Sequence, residues 1–209
     1  MEDEATGLIS SGEMRLLNDI SSIGAKGAAL VLSKMLGIDI EVQFEGITFG
    51  RLEEALNADV LHDELVSFVF SKFHGDINGT AAIFFSEQST MEILKALYNR
   101  SVQSLTEMEE IDFSIIKETG NIIICSFLTA LCNTYEMTAL PTVPDVAVDN
   151  FDAIVDSFTL ILYENNQEKL ISVRAQLITD PEKKNIFGTM ILFFDSQEDL
   201  ERLMGKMPS

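Results

Sequence analysis

The chain is poor in basic residues. Of its 209 residues only 14 are Lys or Arg, against 34 Asp or Glu, and the formal net charge is −20. Proteins that bind nucleic acid or an anionic membrane surface rely on Lys and Arg for the contact. No basic cluster offsets the acidity, so the composition excludes nucleic acid and anionic lipid as expected partners.

Histidine and cysteine are also scarce. The two histidines, His62 and His74, do not stand near a Ser or Cys in a nucleophile context, which disfavours a catalytic triad. Cys125 and Cys132 are seven apart in one predicted helix, about 10 Å along its axis, too far for a disulfide. They are predicted to be reduced thiols of a cytoplasmic protein. No His or Asp pattern accompanies them, so no metal site is predicted.

Long apolar runs and flexible linkers are missing as well. Residues 1–4 are acidic where a signal peptide carries its basic region. The longest uncharged apolar stretch, residues 122–135, is shorter than the roughly 20 residues that a membrane-spanning helix needs. Since 46% of the residues are hydrophobic and no Pro/Gly/Ser-rich linker divides the chain, a folded, non-membrane protein is predicted.

What the chain does contain is an internal duplication. Residues 16–24 resemble residues 115–123 at an offset of 99, and residues 79–86 resemble residues 188–195 at an offset of 109. The first pair lies in long helices, which capping-box patterns open at Ser10-x-x-Glu13 and Thr106-x-x-Glu109. We therefore predict one domain made of two homologous halves, at about residues 8–100 and 105–207.

Strand patterns follow each long helix. Segments rich in β-branched and aromatic residues are predicted as strands at 38–47, 66–73 and 80–85 in the first half, and at 158–163, 170–178 and 186–194 in the second. Turn sequences at 74–79 and 179–184 join neighbours as hairpins. The predicted fold is α/β, with a pseudo-two-fold, largely antiparallel mixed sheet flanked by long helices.

Two short motifs have a simple structural explanation. The sequence from Gly24 to Gly27 could be taken for a phosphate loop, but it lies inside a helical pattern, where small residues favour close helix packing. The acidic residues around Glu109 and Asp112 could be taken for a cation site. A solvated helix N-terminus, favoured by the helix dipole, explains them more simply.

One constellation in the second half is unusual. Glu118 and Asn121 are three residues apart, so a helix places both on one face. Gly120 should cost that helix about 1 kcal/mol relative to Ala, which indicates a packing or functional reason for it. A bare Glu-x-x-Asn pair arises easily by chance as two solvent-facing polar residues. Ser114, four residues before Glu118, and Pro144, after an interval of twenty-two residues, make the pattern more specific.

These four positions match a family motif. They resemble that of the CheC/CheX/FliY chemotaxis phosphatases, and of CheC in particular, which is Asp or Ser, three residues, Glu, two residues, Asn, twenty-two residues and Pro. The resemblance covers nearly the whole chain. It implies that the substrate is phosphorylated CheY, a receiver protein with an aspartyl phosphate beside its own Mg²⁺. No cofactor of the protein's own is implied.

The resemblance also implies roles for the residues. Asn121 would orient the attacking water, and Glu118 would pair with the receiver's active-site Lys. Ser114 would orient or pack near Glu118, Gly120 would leave room for the receiver, and Pro144 would shape the chain beyond the helix.

The first half departs from the motif. Asp19 stands where Glu is expected and Ser22 where Asn is expected, while Arg15 and Glu45 replace the leading Ser and the Pro. Asp is one methylene shorter than Glu, and Ser has no carboxamide. This first site is predicted to be inactive or to serve only for docking.

Other functions remain open from the sequence. The chain could be a non-catalytic adaptor that binds phosphorylated CheY or the deamidase CheD. It could be a flagellar-switch component of the FliY or FliM type, although these carry a further C-terminal domain and this sequence ends just after its last amphipathic helix. A generic α/β domain is the least favoured reading, given the match at four positions.

Overall fold

The computed structural model of the protein describes residues 11–37, 39–50, 63–164, 170–179 and 184–206. Within these ranges the first half contains α1 (Ser11–Leu36), β1 (Ile40–Gly50), β2 (Leu65–Gly75), β3 (Gly79–Ser86) and α2 (Glu87–Tyr98). After a short 3₁₀ helix (Leu105–Glu107), the second half contains α3 (Glu110–Tyr135), β4 (Ala139–Pro141), β5 (Asp145–Asn150), α4 (Phe151–Glu164), β6 (Leu170–Thr179), β7 (Lys184–Phe194) and α5 (Gln197–Lys206).

The seven described strands form one sheet. Its order is β1-β6-β7-β3-β2-β4, and β5 also pairs with β2. Every pair of neighbours runs antiparallel. The predicted α/β fold with a largely antiparallel sheet is confirmed, while the predicted boundaries of the two halves stay a prediction.

The duplication is visible as a pseudo-two-fold axis. The long helices α1 and α3 both contain 26 residues and start 99 positions apart. At the centre of the sheet Gly79 pairs with Phe194 and Gly188 pairs with Phe85, which are equivalent pairs at the offset of 109. Ala82 and Ile191 are equivalent to each other and also face each other, so the axis passes between them.

The halves are interlocked rather than merely adjacent. Strand β1 of the first half pairs with β6 of the second, and β5 of the second pairs with β2 of the first. Each half therefore supplies an outer strand that pairs with a strand of the other half.

One predicted strand is wrong. Residues 158–163 belong to helix α4. Phe151, Ile154 and Phe158 recur at intervals of three and four and are buried, a helical rather than a strand period. They pack on the second face of the sheet, where Phe158 meets Phe193 edge-on at 5.2 Å between ring centroids. The short run from Phe158 had a strand-like composition, and its helical period shows only when the preceding turns are included.

The predicted start of the second long helix is also corrected. Thr106 lies in the 3₁₀ helix, and α3 begins at Glu110 with Glu109 as its N-cap residue. The capping box is formed by Glu109 and Asp112, whose carboxylate accepts the Glu109 backbone N–H at 3.0 Å. Ser10, in the other predicted box, lies outside the described residues.

The main core lies between the sheet and the long helices. It includes buried residues of α1, α3, α2, α5 and one face of the sheet, while a smaller aromatic core lies beneath α4 on the other face. Among the described helices, α3 is long and apolar enough to span a membrane, but 56% of its most apolar window is buried in the protein. Such burial is typical of a core helix.

Candidate functional site

Helix α3 places three of the predicted site residues along one outward face. Ser114 and Glu118 are exposed, and Asn121, one turn further, is half-buried. The Ser114 hydroxyl donates to the Glu110 backbone carbonyl at 3.0 Å. Its hydroxyl is therefore directed to the backbone of its own helix, and the carboxylate of Glu118 is open to solvent.

The side chain of Asn121 has a partner on its own helix. The Cys125 thiol, four residues later, donates to Asn121 Oδ1 at an S···O distance of 3.4 Å. Burial, and then the charge of Glu118, raise the pKa of Cys125 above its usual value. The thiol therefore keeps its proton and remains a donor at neutral pH.

Gly120 faces the sheet and not a partner protein. A Cβ at this position would lie 2.6 Å from Cβ of Val69 and 2.7 Å from its nearest methyl group. Gly120 is buried, and the absence of a side chain lets α3 approach β2 closely. The expectation that it leaves room for the receiver is corrected: it sets the distance between helix and sheet.

Thr119 joins α3 to the preceding helix. Its buried hydroxyl donates to the Ile115 carbonyl at 2.9 Å, and the side chain of Tyr98, the last residue of α2, lies beside it. Burial, with a smaller effect from the Glu118 charge, raises the pKa of Tyr98. The tyrosine is thus held between the end of α2 and the middle of α3.

Pro144 is buried in the link between β4 and β5. Phe73 of β2 pairs with Pro141, and Phe70 of β2 pairs with Asp145. The chain from β4 to β5 covers this interval in four residues and β2 covers it in three, so the β4–β5 chain contains one extra residue. Proline has no N–H for a sheet ladder, which suits a break between two strands. In the first half β1 is continuous, and its irregularity falls between Phe44 and Gly46, at the equivalent position. Pro144 therefore lies at the break between the two strands, and its role in shaping the chain beyond the helix stays a prediction.

The first copy has the same placement with different side chains. In α1, Asp19 is exposed and Ser22 is half-buried, as Glu118 and Asn121 are in α3. The Cys125 position is occupied by the exposed Lys26. Neither a carboxamide nor a thiol therefore occupies these two positions.

Gly24 explains the small residues of α1. A Cβ there would lie 2.9 Å from the Phe127 Cα of α3, so the two long helices cross in close contact at this point. The packing explanation for the residues from Gly24 to Gly27 is supported, and they form no loop.

The acidic residues at the start of α3 form an ion-pair cluster. Arg100, just after α2, pairs through Nε with Asp112, and its Nη2 donates to Asp112 Oδ2 at 3.0 Å and to Glu109 Oε2 at 3.1 Å. The expectation of a solvated cluster holds for Glu107, Glu109 and Glu110, which are exposed, and is wrong for Asp112, whose side chain is fully buried. The Arg100 guanidinium lowers the pKa of Asp112. In the described part of the chain no group of three or more His, Cys, Asp or Glu residues could hold a metal.

A curated protein resembles the chain over nearly its full length. No protein-family model matches the chain. Over 205 residues the chain is 25% identical to the CheY-P phosphatase CheC of Bacillus subtilis (strain 168), covering 94% of this chain and 96% of that protein. The resemblance to the CheC/CheX/FliY family is confirmed.

Solved structures of FliY and FliM have the same fold as this chain. Thermotoga maritima FliY matches with a TM-score of 0.73 at 17% identity, over 96% of this chain and 98% of that one. The FliM middle domain from H. pylori matches with a TM-score of 0.64 at 14% identity, over 95% and 100%. At these identities the structures show the fold, and the similarity to CheC supports a chemotaxis role for the chain.

Proposed function

We propose that this chain hydrolyses the aspartyl phosphate of a CheY-type receiver, with one active centre on α3. Two findings support the proposal. The chain is similar over nearly its full length to a CheY-P phosphatase. Glu118 and Asn121 also lie on one outward face of a 26-residue helix, as a pair that must reach into a partner requires. This shared outward face is the observation that carries the proposal. A receiver substrate implies a cytoplasmic location.

Asn121 supplies the positioning that this reaction needs. Phosphoryl transfer depends on holding the nucleophile in line and on stabilising the phosphate charge. In the proposed reaction the Mg²⁺ bound to the receiver would stabilise the negative charge of the phosphate. The carboxamide of Asn121 accepts a hydrogen bond from a water through Oδ1 and donates one to it through Nδ2. The water oxygen bonds to phosphorus as the bond to the receiver's carboxylate breaks, the bonding electrons stay on the carboxylate, and the protons of the water leave with the inorganic phosphate.

Glu118 supplies the anchor. Its exposed carboxylate stands one turn before Asn121, and a carboxylate pairs with an ammonium group in a charge-assisted hydrogen bond. Pairing with the receiver's active-site Lys would set the register of the whole helix against the phosphate.

The helix itself is held firmly enough for this task. Gly120 brings it into contact with β2, and the Arg100–Asp112 pair fixes its first turn. A site on a supported helix keeps its geometry better than one on a loop. The partner therefore meets a pair of side chains whose backbone is already in place.

The test follows phosphate release from a phosphorylated CheY-type receiver with Mg²⁺. Asn121→Ala should lower the rate by about 100-fold or more, because the water loses its orientation. Binding of the receiver should be largely retained. Asn133→Ala, which removes an exposed carboxamide from the same helix, is the matched control and should leave the rate unchanged. A wild-type rate in Asn121→Ala would refute the proposal.

A binding role is the second candidate. The fold is shared with FliM structures solved as complexes with FliG and with SpeE, so this scaffold can present a surface to another protein. An adaptor would bind phosphorylated CheY, or CheD, without releasing phosphate. The same assay separates the two functions, since an adaptor would retain the receiver's phosphate at the spontaneous rate.

A further inference from the structure

The thiol of Cys125 contacts the proposed water-orienting group, and the proposed reaction leaves this thiol unused. Cys125 lies one helical turn after Asn121, and its Sγ is 3.4 Å from Asn121 Oδ1. It is half-buried, while the face of α3 before it is open to solvent. A donor in this place bears directly on how the carboxamide is oriented.

We propose that Cys125 is a positioning residue, whose thiol holds the Asn121 carboxamide in one orientation for the attacking water. This inference rests on the proposed function and deepens it. An Asn side chain rotates about two torsions, and the outer one has a broad energy profile. On the open face of a helix such a side chain would sample several orientations.

The contact selects one of these orientations. When Oδ1 accepts the S–H of Cys125, the Nδ2 amide group must point to the other side, away from the thiol. Oδ1 keeps a second lone pair for the water, so the contact does not block the proposed chemistry. Fixing the carboxamide in advance removes part of the entropy cost of the reactive geometry.

The thiol is suited to this role because it stays protonated. The half-buried position disfavours the thiolate, and the nearby carboxylate of Glu118 disfavours it further. A thiolate has no proton to donate to Oδ1.

The duplication gives an independent indication. In α1 the position of Asn121 is Ser22 and the position of Cys125 is Lys26. The copy without the carboxamide is therefore also without the thiol. The pair occurs together in the copy that matches the motif and is missing together from the other.

Cys132 provides a matched control on the same helix. It is also half-buried, and burial likewise raises the pKa of its thiol. Its thiol lies near the backbone of Ala139 and not at the site. Cys132→Ala therefore removes the same atoms as Cys125→Ala without touching Asn121.

The first experiment observes the carboxamide directly, in the full ¹⁵N-labelled chain. The Asn121 side-chain NH₂ signals are identified by their loss in Asn121→Ala. In Cys125→Ala they should shift and their two proton frequencies should move closer together, because the carboxamide samples more orientations. In Cys132→Ala they should stay in place. Unchanged Asn121 signals in Cys125→Ala would overturn the inference, whatever the activity.

The second experiment measures turnover of a phosphorylated CheY-type receiver with Mg²⁺. In Cys125→Ala kcat should fall by about five-fold, the scale of one hydrogen bond, with KM unchanged. A purely structural role would not produce that split. If the wild type is active and Cys125→Ala keeps its full kcat, this inference fails alone. If the wild type releases no phosphate, the proposed function fails.

Discussion

The two long helices derive from one pattern and meet the sheet differently. In α3, Gly120 allows contact with Val69. In α1 the equivalent residue is Ser21, which is buried and donates to the Leu17 carbonyl at 2.8 Å. Ser21 and Val173 line an apolar cavity of about 30 Å³ that is bordered by α1, α3 and the sheet. At this equivalent position α3 therefore contacts the sheet through a glycine, whereas α1 has a buried serine beside a cavity.

Their outward faces differ as well. The outward face of α1 carries large aliphatic side chains with exposures of 46% to 56%, namely Ile23, Leu30, Val31 and Met35. In α3 the corresponding positions are two buried apolar residues and two exposed threonines, namely Ile122, Thr129, Ala130 and Thr134. The equivalent positions of the two helices therefore differ in burial as well as in side-chain type.

After Asn121→Ala, the largest loss of activity is expected from a change at Glu118. Glu118→Ala removes the proposed anchor, so KM should rise, kcat should fall, and kcat/KM should decrease by roughly 10-fold or more. Steady-state phosphate release measures both constants. Glu107→Ala removes an equal charge from an exposed position just before α3 and should change little. Equal effects from the two variants would show that only the overall charge matters.

The ion pair at the start of α3 should be the next most sensitive feature. Arg100→Met leaves the fully buried Asp112 without its cation, and removing one partner of a buried pair is strongly destabilising. The melting temperature should fall further than in Arg202→Met, whose pair with Glu198 is exposed. Similar melting temperatures in the two variants would contradict a buried anchor.

Acid should reduce the difference between the wild type and Arg100→Met. Arg100 lowers the pKa of Asp112 in the folded protein. The stabilisation is therefore present above the ordinary carboxyl value of 3.8 and is lost as the pH falls through the lower folded value. Melting curves recorded from pH 7 into this acid range should converge.

The close packing of α3 can be tested by giving it the residue of α1. Gly120→Ser places a Cβ against Val69, and such overpacking should lower the free energy of unfolding by about 1–3 kcal/mol. Denaturant unfolding measures it. Gly205→Ser is the control, because no atom lies within 4 Å of a Cβ at that helical position. If Gly120→Ser proved as stable as the control, the contact would not set the helix position.

The smallest effect is expected in the first copy. Asp19→Ala combined with Ser22→Ala should leave turnover close to that of the wild type, because neither residue has the length or the amide group that the reaction needs. A large loss in steady-state phosphate release would show that the first half takes part in the reaction.

Much of the fold follows from local sequence patterns. The helical repeat at residues 16–24 and 115–123, and the glycine-led strands at 79 and 188, predicted the duplication and the antiparallel sheet. The strand predicted at 158–163 was wrong because a short apolar run has no period of its own. Its helical nature depends on burial against Phe84 and Phe193, which only the assembled sheet provides.

The candidate site was predictable only in part. The spacing of Glu118 and Asn121 placed them on one face, and Cys125, four residues further on, could have been added by the same rule. Their chemical roles stay predictions. No local signal connected Gly120 with Val69, or Arg100 with Asp112, because these contacts join elements that are distant along the chain or depend on how two helices pack.

The central claim is that the activity lies in α3 and not in α1. The most direct measurement is the rate of phosphate release from one phosphorylated CheY-type receiver, compared side by side for Asn121→Ala and for Asp19→Ala/Ser22→Ala. The structure predicts near-complete loss in the first and a rate close to that of the wild type in the second. Undiminished release by Asn121→Ala, or an equal loss in both variants, would contradict it.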